Sequence, residues 1–115
     1  MEDLLMETLK EFGYPVIRQG SLTEDDEYPE SFFTFWNNDS SGDGFYDNKD
    51  IRTEWDFDVN FYSTDPKLTY SEILKAKEKL RSVGFILSGK GYDVASDEPT
   101  HTGRGINALF MENNN

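Results

Sequence analysis

Apolar residues Leu5, Leu9 and Phe12 recur at the spacing of one helical face, with Glu2, Glu7, Lys10 and Glu11 on the others. That spacing predicts a helix over residues 2–12, and Gly13 supplies a natural stop. Pro15 disfavours helix at Tyr14, so Tyr14–Ile17 reads as extended. The acidic run Ser21–Pro29 reads as a loop. Ser31–Trp36 reads as a strand with apolar residues on both faces, Phe32 and Trp36 on one, Phe33 and Phe35 on the other. Asn37–Asp50, rich in Gly, Asn and Asp, reads as a loop. Arg52–Tyr62 gives the cleanest alternation. Trp55, Phe57, Val59 and Phe61 face a core, and Glu54, Asp56, Asp58 and Asn60 face away from it. Asp65-Pro66 is a helix start, with Asp65 as N-cap and Pro66 in the first turn. Residues 67–82 then carry Tyr70, Ile73, Leu74 and Leu80 at helical spacing, with Lys75, Lys77, Lys79 and Arg81 on the exposed side and Gly84 as a stop. Two further strands are expected, Phe85–Ser88 and Ile106–Met111, joined by the long connection Gly91–Gly105. Glu112–Asn115 is expected to be a disordered tail. The order α-β-β-β-α-β-β indicates an α+β domain, an antiparallel or mixed sheet of about five strands with two helices packed on it. No internal repeat is present.

The chain of 115 residues fits one domain, 1–115. A domain of this size buries roughly 65% of its unfolded surface. The 15% aromatic content supplies large rings for that purpose. There is no cysteine, which removes disulfides and thiolate metal sites. No run of 18 apolar residues suggests a membrane span, and the acidic start does not resemble a signal peptide. A soluble protein folded in the cytoplasm is the expectation.

Eleven Lys and Arg against twenty-three Asp and Glu leave a net charge of −12, which speaks against binding phosphate backbones. The charge is uneven. Residues 24–58 hold twelve acids and only Lys49 and Arg52, whereas residues 67–81 hold five bases against Glu72 and Glu78. One molecule's basic face can therefore meet another's acidic face.

Catalytic chemistry is poorly represented. Asp39, Ser41, Asp43, Gly44, Asp47 and Asp50 match much of a twelve-residue calcium loop. The final position is Asp rather than Glu, and both flanks read as strands, so an acidic hairpin loop is preferred to a metal site. Asp56 and Asp58 share a strand face with Glu54; carboxylates so grouped can hold magnesium, yet no Lys or His stands near them in sequence. His101, the only histidine, lies between threonines with no nucleophile beside it. Arg104 is expected to anchor the Gly91–Gly105 connection to Asp97 or Glu98, or to a neighbouring subunit. That connection, lacking a catalytic set, reads as a contact loop. Tyr28, Phe45 and Tyr46 are candidate interface anchors. The expectation is a protein that is not an enzyme and needs no cofactor.

Several segments together resemble a family of small proteins encoded in the structural gene cluster of tailed phages and prophages of Gram-positive bacteria. They are Gly13-Tyr14-Pro15-Val16, Tyr28-Pro29 with Ser31–Thr34, Phe45–Asn48, Phe61–Pro66, Gly84-Phe85, and Gly91 to Arg104. The order of elements is also similar to that of tail terminator and head–tail joining proteins. The resemblance implies a virion structural protein at the head–tail junction, of tail terminator or tail-completion type. It implies a homo-oligomeric ring, commonly of about six subunits, that caps the tail tube protein, docks the head connector and lets DNA through its channel. It also implies assembly in the host cytoplasm and residence in the virion. In such a ring the basic segment Lys67–Arg81 would meet Glu54, Asp56 and Asp58 of a neighbour. The acidic loops would face the channel. The alternative is an acidic phage-encoded inhibitor that mimics DNA and binds a nucleic-acid enzyme.

Overall fold

The elements are α1 (Glu2–Lys10), β1 (Val16–Arg18), β2 (Ser31–Asp43), β3 (Arg52–Ser63), α2 (Pro66–Ser82), β4 (Ile86–Leu87), β5 (Tyr92–Val94) and β6 (Thr102–Asn113). They come from a computed structural model that describes residues 1–18, 29–43, 52–96 and 98–113. The fold is α+β, a six-stranded mixed sheet in the order β1-β2-β3-β6-β4, with β5 also pairing β6. Among the described residues β1 and β2 pair in parallel and the other pairings are antiparallel. Among the described residues no helix is long and apolar enough to cross a membrane.

Alternation along the strands sends Phe33, Phe35, Phe57, Val59, Phe61, Ile106 and Ala108 to one face. There they are buried against Leu5 and Leu9 of α1, Ile73, Ala76 and Leu80 of α2, and Phe85 and Leu87. Rings interlock in this core: Phe33 and Phe61 lie 4.7 Å apart between centroids, and Tyr14 sits edge-on to Phe61 at 5.0 Å. α2 begins as its sequence predicts. Asp65 Oδ1 accepts a hydrogen bond from the Lys67 N–H at 3.0 Å, and Pro66 occupies the first turn. α1 ends at Lys10, short of Phe12. The N–H groups of Glu11, Phe12 and Gly13 bond three residues back and tighten the last turn, and Gly13 (φ +87°) redirects the chain.

The structure corrects four expectations. First, Asn37–Asp43 is strand, despite its turn-forming residues. The alternating strand β3 offers a full ladder of partners, and a register shift between Asn37 and Asp39 absorbs one extra residue. Second, Gly91–Gly105 is not one uninterrupted loop: β5 and the start of β6 pair within it. Third, Glu112 and Asn113 extend β6 opposite Thr53 and Arg52 instead of fraying, and Trp55 Nε1 donates to Glu112 Oε1 at 3.0 Å. Fourth, Tyr70 and Leu74, expected in the core by spacing, are exposed on α2, and Trp36 is 46% exposed although Phe32 beside it is buried.

Candidate interaction surface on the outer sheet face

Because β3 alternates, Glu54, Asp56, Asp58, Asn60 and Tyr62 all point away from the helices. Register supplies their neighbours. Trp36 of β2 stands opposite Asp58, and Asp58 stands opposite Asn107 of β6. The Asn107 amide donates to Asp56 Oδ1 at 2.6 Å, to Asp58 Oδ1 at 3.2 Å and to the Phe57 carbonyl at 3.2 Å. Asn38 Nδ2 also reaches Asp56 Oδ1, at 3.3 Å. Two carboxylates are thus held side by side by the Asn107 amide, with Asn38 adding a second donor to Asp56. Tyr92, 44% exposed, directs its hydroxyl towards Asp58 Oδ1 at 3.5 Å. Partial burial raises the Tyr92 phenol above the usual tyrosine pKa, and the nearby Asp58 charge raises it further. The result is a row of acids flanked by the exposed rings of Trp36 and Tyr92.

Towards the other end the same face is closed. Phe32 stacks on Tyr62 at 5.4 Å, and the His101 ring meets Phe32 edge-on at 6.0 Å. His101 is buried, with Nε2 2.8 Å from the Pro29 carbonyl oxygen and Nδ1 3.0 Å from the Thr100 hydroxyl. A carbonyl only accepts, so Nε2 carries the proton, and in the neutral ring Nδ1 accepts from Thr100. Both nitrogens therefore serve the frame. Gly103 and Gly105 leave the outer face of β6 bare beneath this layer. A β-carbon at Gly103 would lie 2.6 Å from the Tyr62 ring and 2.7 Å from Val94. One at Gly105 would collide with Asn60 Oδ1 and lie 3.0 Å from the Tyr92 ring.

Arg104, between these glycines, points to the helix side. Its ion-pair partner is Asp93, at 2.9 Å, and not Glu98. Asp97 lies outside the described residues. The Glu98 backbone instead closes the turn before β6, its carbonyl accepting from the His101 N–H and from Ser96 Oγ.

Lys75, Lys77, Lys79 and Arg81 of α2 lie across the sheet from the acid row, and each has an intramolecular partner. Lys75 pairs with Glu72 (3.6 Å), Lys79 with Glu11 (3.1 Å) and Arg81 with Glu78 (3.8 Å), while Lys77 donates to the Gly89 carbonyl (2.5 Å). Glu72 is itself buried. The neighbouring Tyr14 phenol is pushed above its ordinary pKa by burial first, then by the Glu72 charge and a hydrogen bond to it.

Of the calcium-loop pattern, Asp39, Ser41 and Asp43 fall on β2, paired with Asp56, Glu54 and Arg52. An extended ladder does not coil around an ion as that loop requires. Asp47 and Asp50 lie outside the described residues, as do Tyr28, Phe45, Tyr46 and the acids of 24–27. Among the described residues, no three His, Cys, Asp or Glu side chains gather where they could hold a metal ion.

Trp36, Tyr92 and Asn107 were not singled out as functional residues by sequence. Only the strand register brings them to Asp58, although Trp36 shares the parity of Phe32 in a strand whose other face was already filled by Phe33 and Phe35.

The chain matches no protein-family model, and no curated protein is significantly similar to it in sequence.

Proposed function

We propose that this chain is a virion assembly protein of the tail terminator or tail-completion type, forming a ring at the head–tail junction of a long-tailed phage. Sequence resemblance along most of the chain suggests the class. The observation that carries the reading is electrostatic. Glu54, Asp56 and Asp58 lie on the outer sheet face, and Lys75, Lys77, Lys79 and Arg81 lie on the helix across the sheet. The two faces cannot pair with each other within one molecule, because the sheet lies between them. Such a molecule associates head to tail, and the contacts repeat until a ring closes. The pair that now holds Arg81 is exposed and three residues apart on one helix, so exchanging it for a contact to a neighbour costs little. A net charge of −12 also suits a ring through which DNA passes without adhering.

The test is to polymerise the tail tube protein of its own virion with and without this chain and to image the ends. Rings seated on tube ends, with tube growth halted, support the reading. Unaltered open tubes contradict it. Salt-sensitive binding to a basic nucleic-acid enzyme, with tubes left open, would favour the acidic inhibitor instead.

A further inference from the structure

On the helix side, Phe12 and Leu74 floor a shallow apolar groove, edged by Lys75, Glu78, Lys79 and Ser82. Leu74 is exposed there, which an amphipathic helix closing only its own core does not require. On the outer face of the sheet, Trp36 is the exposed ring beside Asp56 and Asp58. One feature is an apolar depression between lysines, and the other is an apolar knob beside carboxylates. They lie on opposite sides of the sheet, so no single molecule brings them together.

We infer that the Trp36 edge of one copy seats in the Phe12–Leu74 groove of a second copy, with Asp56 and Asp58 meeting Lys75 and Lys79. The occupant is a second copy of this chain because apolar character and charge sign both match within the one sequence: an apolar groove beside lysines and an exposed ring beside carboxylates. Tryptophan is among the residues most enriched in interface hot spots, where surrounding contacts exclude water from it. The inference rests on the ring reading and names the contact that would build it. The Lys79–Glu11 pair would loosen on docking, at little cost for an exposed pair, while the exposed Lys75 ammonium can meet a neighbour's carboxylate without leaving the buried Glu72. Glu78 borders the groove and selects against a knob that carries acid on its far side as well.

Disulfide trapping tests this directly, because the chain has no cysteine of its own. Asn38→Cys places a thiol on the exposed knob side, and Ser82→Cys places one at the groove. Both sites are exposed and polar, and far-ultraviolet circular dichroism checks that each variant folds. Under mild oxidation the double variant is expected to give a ladder of linked oligomers. An equimolar mixture of the two single variants is expected to give mainly the mixed dimer. Adding Trp36→Ala to the double variant should cut the ladder several-fold. Three results would each overturn the inference: no linkage beyond that of a control cysteine pair placed elsewhere on the surface, like-with-like dimers of each single variant in place of the mixed dimer, or a ladder indifferent to Trp36→Ala. Rings seen on tube ends without trapping would remove this contact and leave the ring reading standing. Loss of both would remove both.

Discussion

Arg104 Nη1 donates to Asp93 Oδ1 at 2.9 Å while its guanidinium lies 4.3 Å above the centre of the Tyr70 ring. The same fork donates to the carbonyls of Lys90 and Gly91 at 3.2 Å each. One side chain thereby fastens the turn and strand β5 to β6. Gly91 (φ +89°) fits there because a β-carbon would lie 2.8 Å from the Gly105 carbonyl oxygen. Arg104→Ala is expected to destabilise the protein by about 1–3 kcal/mol, since it deletes a stacked, hydrogen-bonded cation that is only 13% exposed. Arg104→Lys should recover little, because an ammonium cannot reproduce the planar fork. Asp93→Asn should cost under about 1 kcal/mol, because Asp93 is 81% exposed and water screens the pair. Urea unfolding of the three variants checks the order.

Gly103→Ala and Gly105→Ala are each expected to cost about 1–3 kcal/mol through overpacking of the outer face. The added methyl groups press on Tyr62 and Val94 in the first case, and on Asn60 and Tyr92 in the second. Thermal unfolding measures the loss. Near-equal stability of wild type and both variants would show that this layer gives way easily.

Trp36 and Phe33 occupy the same strand on opposite faces, and the two should separate stability from assembly. Phe33→Ala opens the core and is expected to cost about 3–5 kcal/mol. Trp36→Ala removes a half-exposed ring and should shift the urea midpoint little while reducing self-association. Urea titration and sedimentation of both variants give the comparison.

Alkaline pH should weaken the fold through Tyr92 and Tyr14. Both phenols have folded-state pKa values above the ordinary one, through burial first and through Asp58 and Glu72 next. Below the unfolded value, about 10, both states are protonated and nothing changes. Above it the unfolded chain ionises first and binds fewer protons, so stability falls as pH rises towards the folded-state values. Tyr92→Phe and Tyr14→Phe should each flatten that decline, as read by urea unfolding from about pH 8 to 11.

Periodicity made the helices, the core face of β3 and the Asp65-Pro66 start legible, because those signals are local. The acid row of Glu54, Asp56 and Asp58 was legible for the same reason. What decides the surface was not local. Asn107 meets Asp56 and Asp58 only through the pairing of β3 with β6. The glycines at 103 and 105 read as loop residues because sequence registers a missing side chain and not the neighbours that fill its place. Asn37–Asp43 carries loop composition, yet a complete partner strand holds it extended. Arg104 was recognisable as an anchor, but its partner Asp93 follows from the β5–β6 hairpin geometry rather than from proximity to Glu98.

Charge reversal at Lys77 and Lys79 should abolish assembly while leaving the unfolding midpoint nearly unchanged, because their present partners are a backbone carbonyl and an exposed carboxylate. Reversal at Asp56 and Asp58 should also abolish assembly, with some loss of stability from the Asn107 hydrogen bonds, and mixing the two variants should restore a paired species. Sedimentation velocity of each variant and of the mixture checks it; unaltered assembly by the lysine variant would detach α2 from the interface.

Native mass spectrometry over a concentration series, with the chain alone and with the tail tube protein that the proposed function implies, addresses ring formation most directly. A single closed oligomer, with no species growing beyond it, is the expected result. Monomer throughout, even with the tube protein present, or a two-fold dimer that grows no further, would contradict a head-to-tail ring.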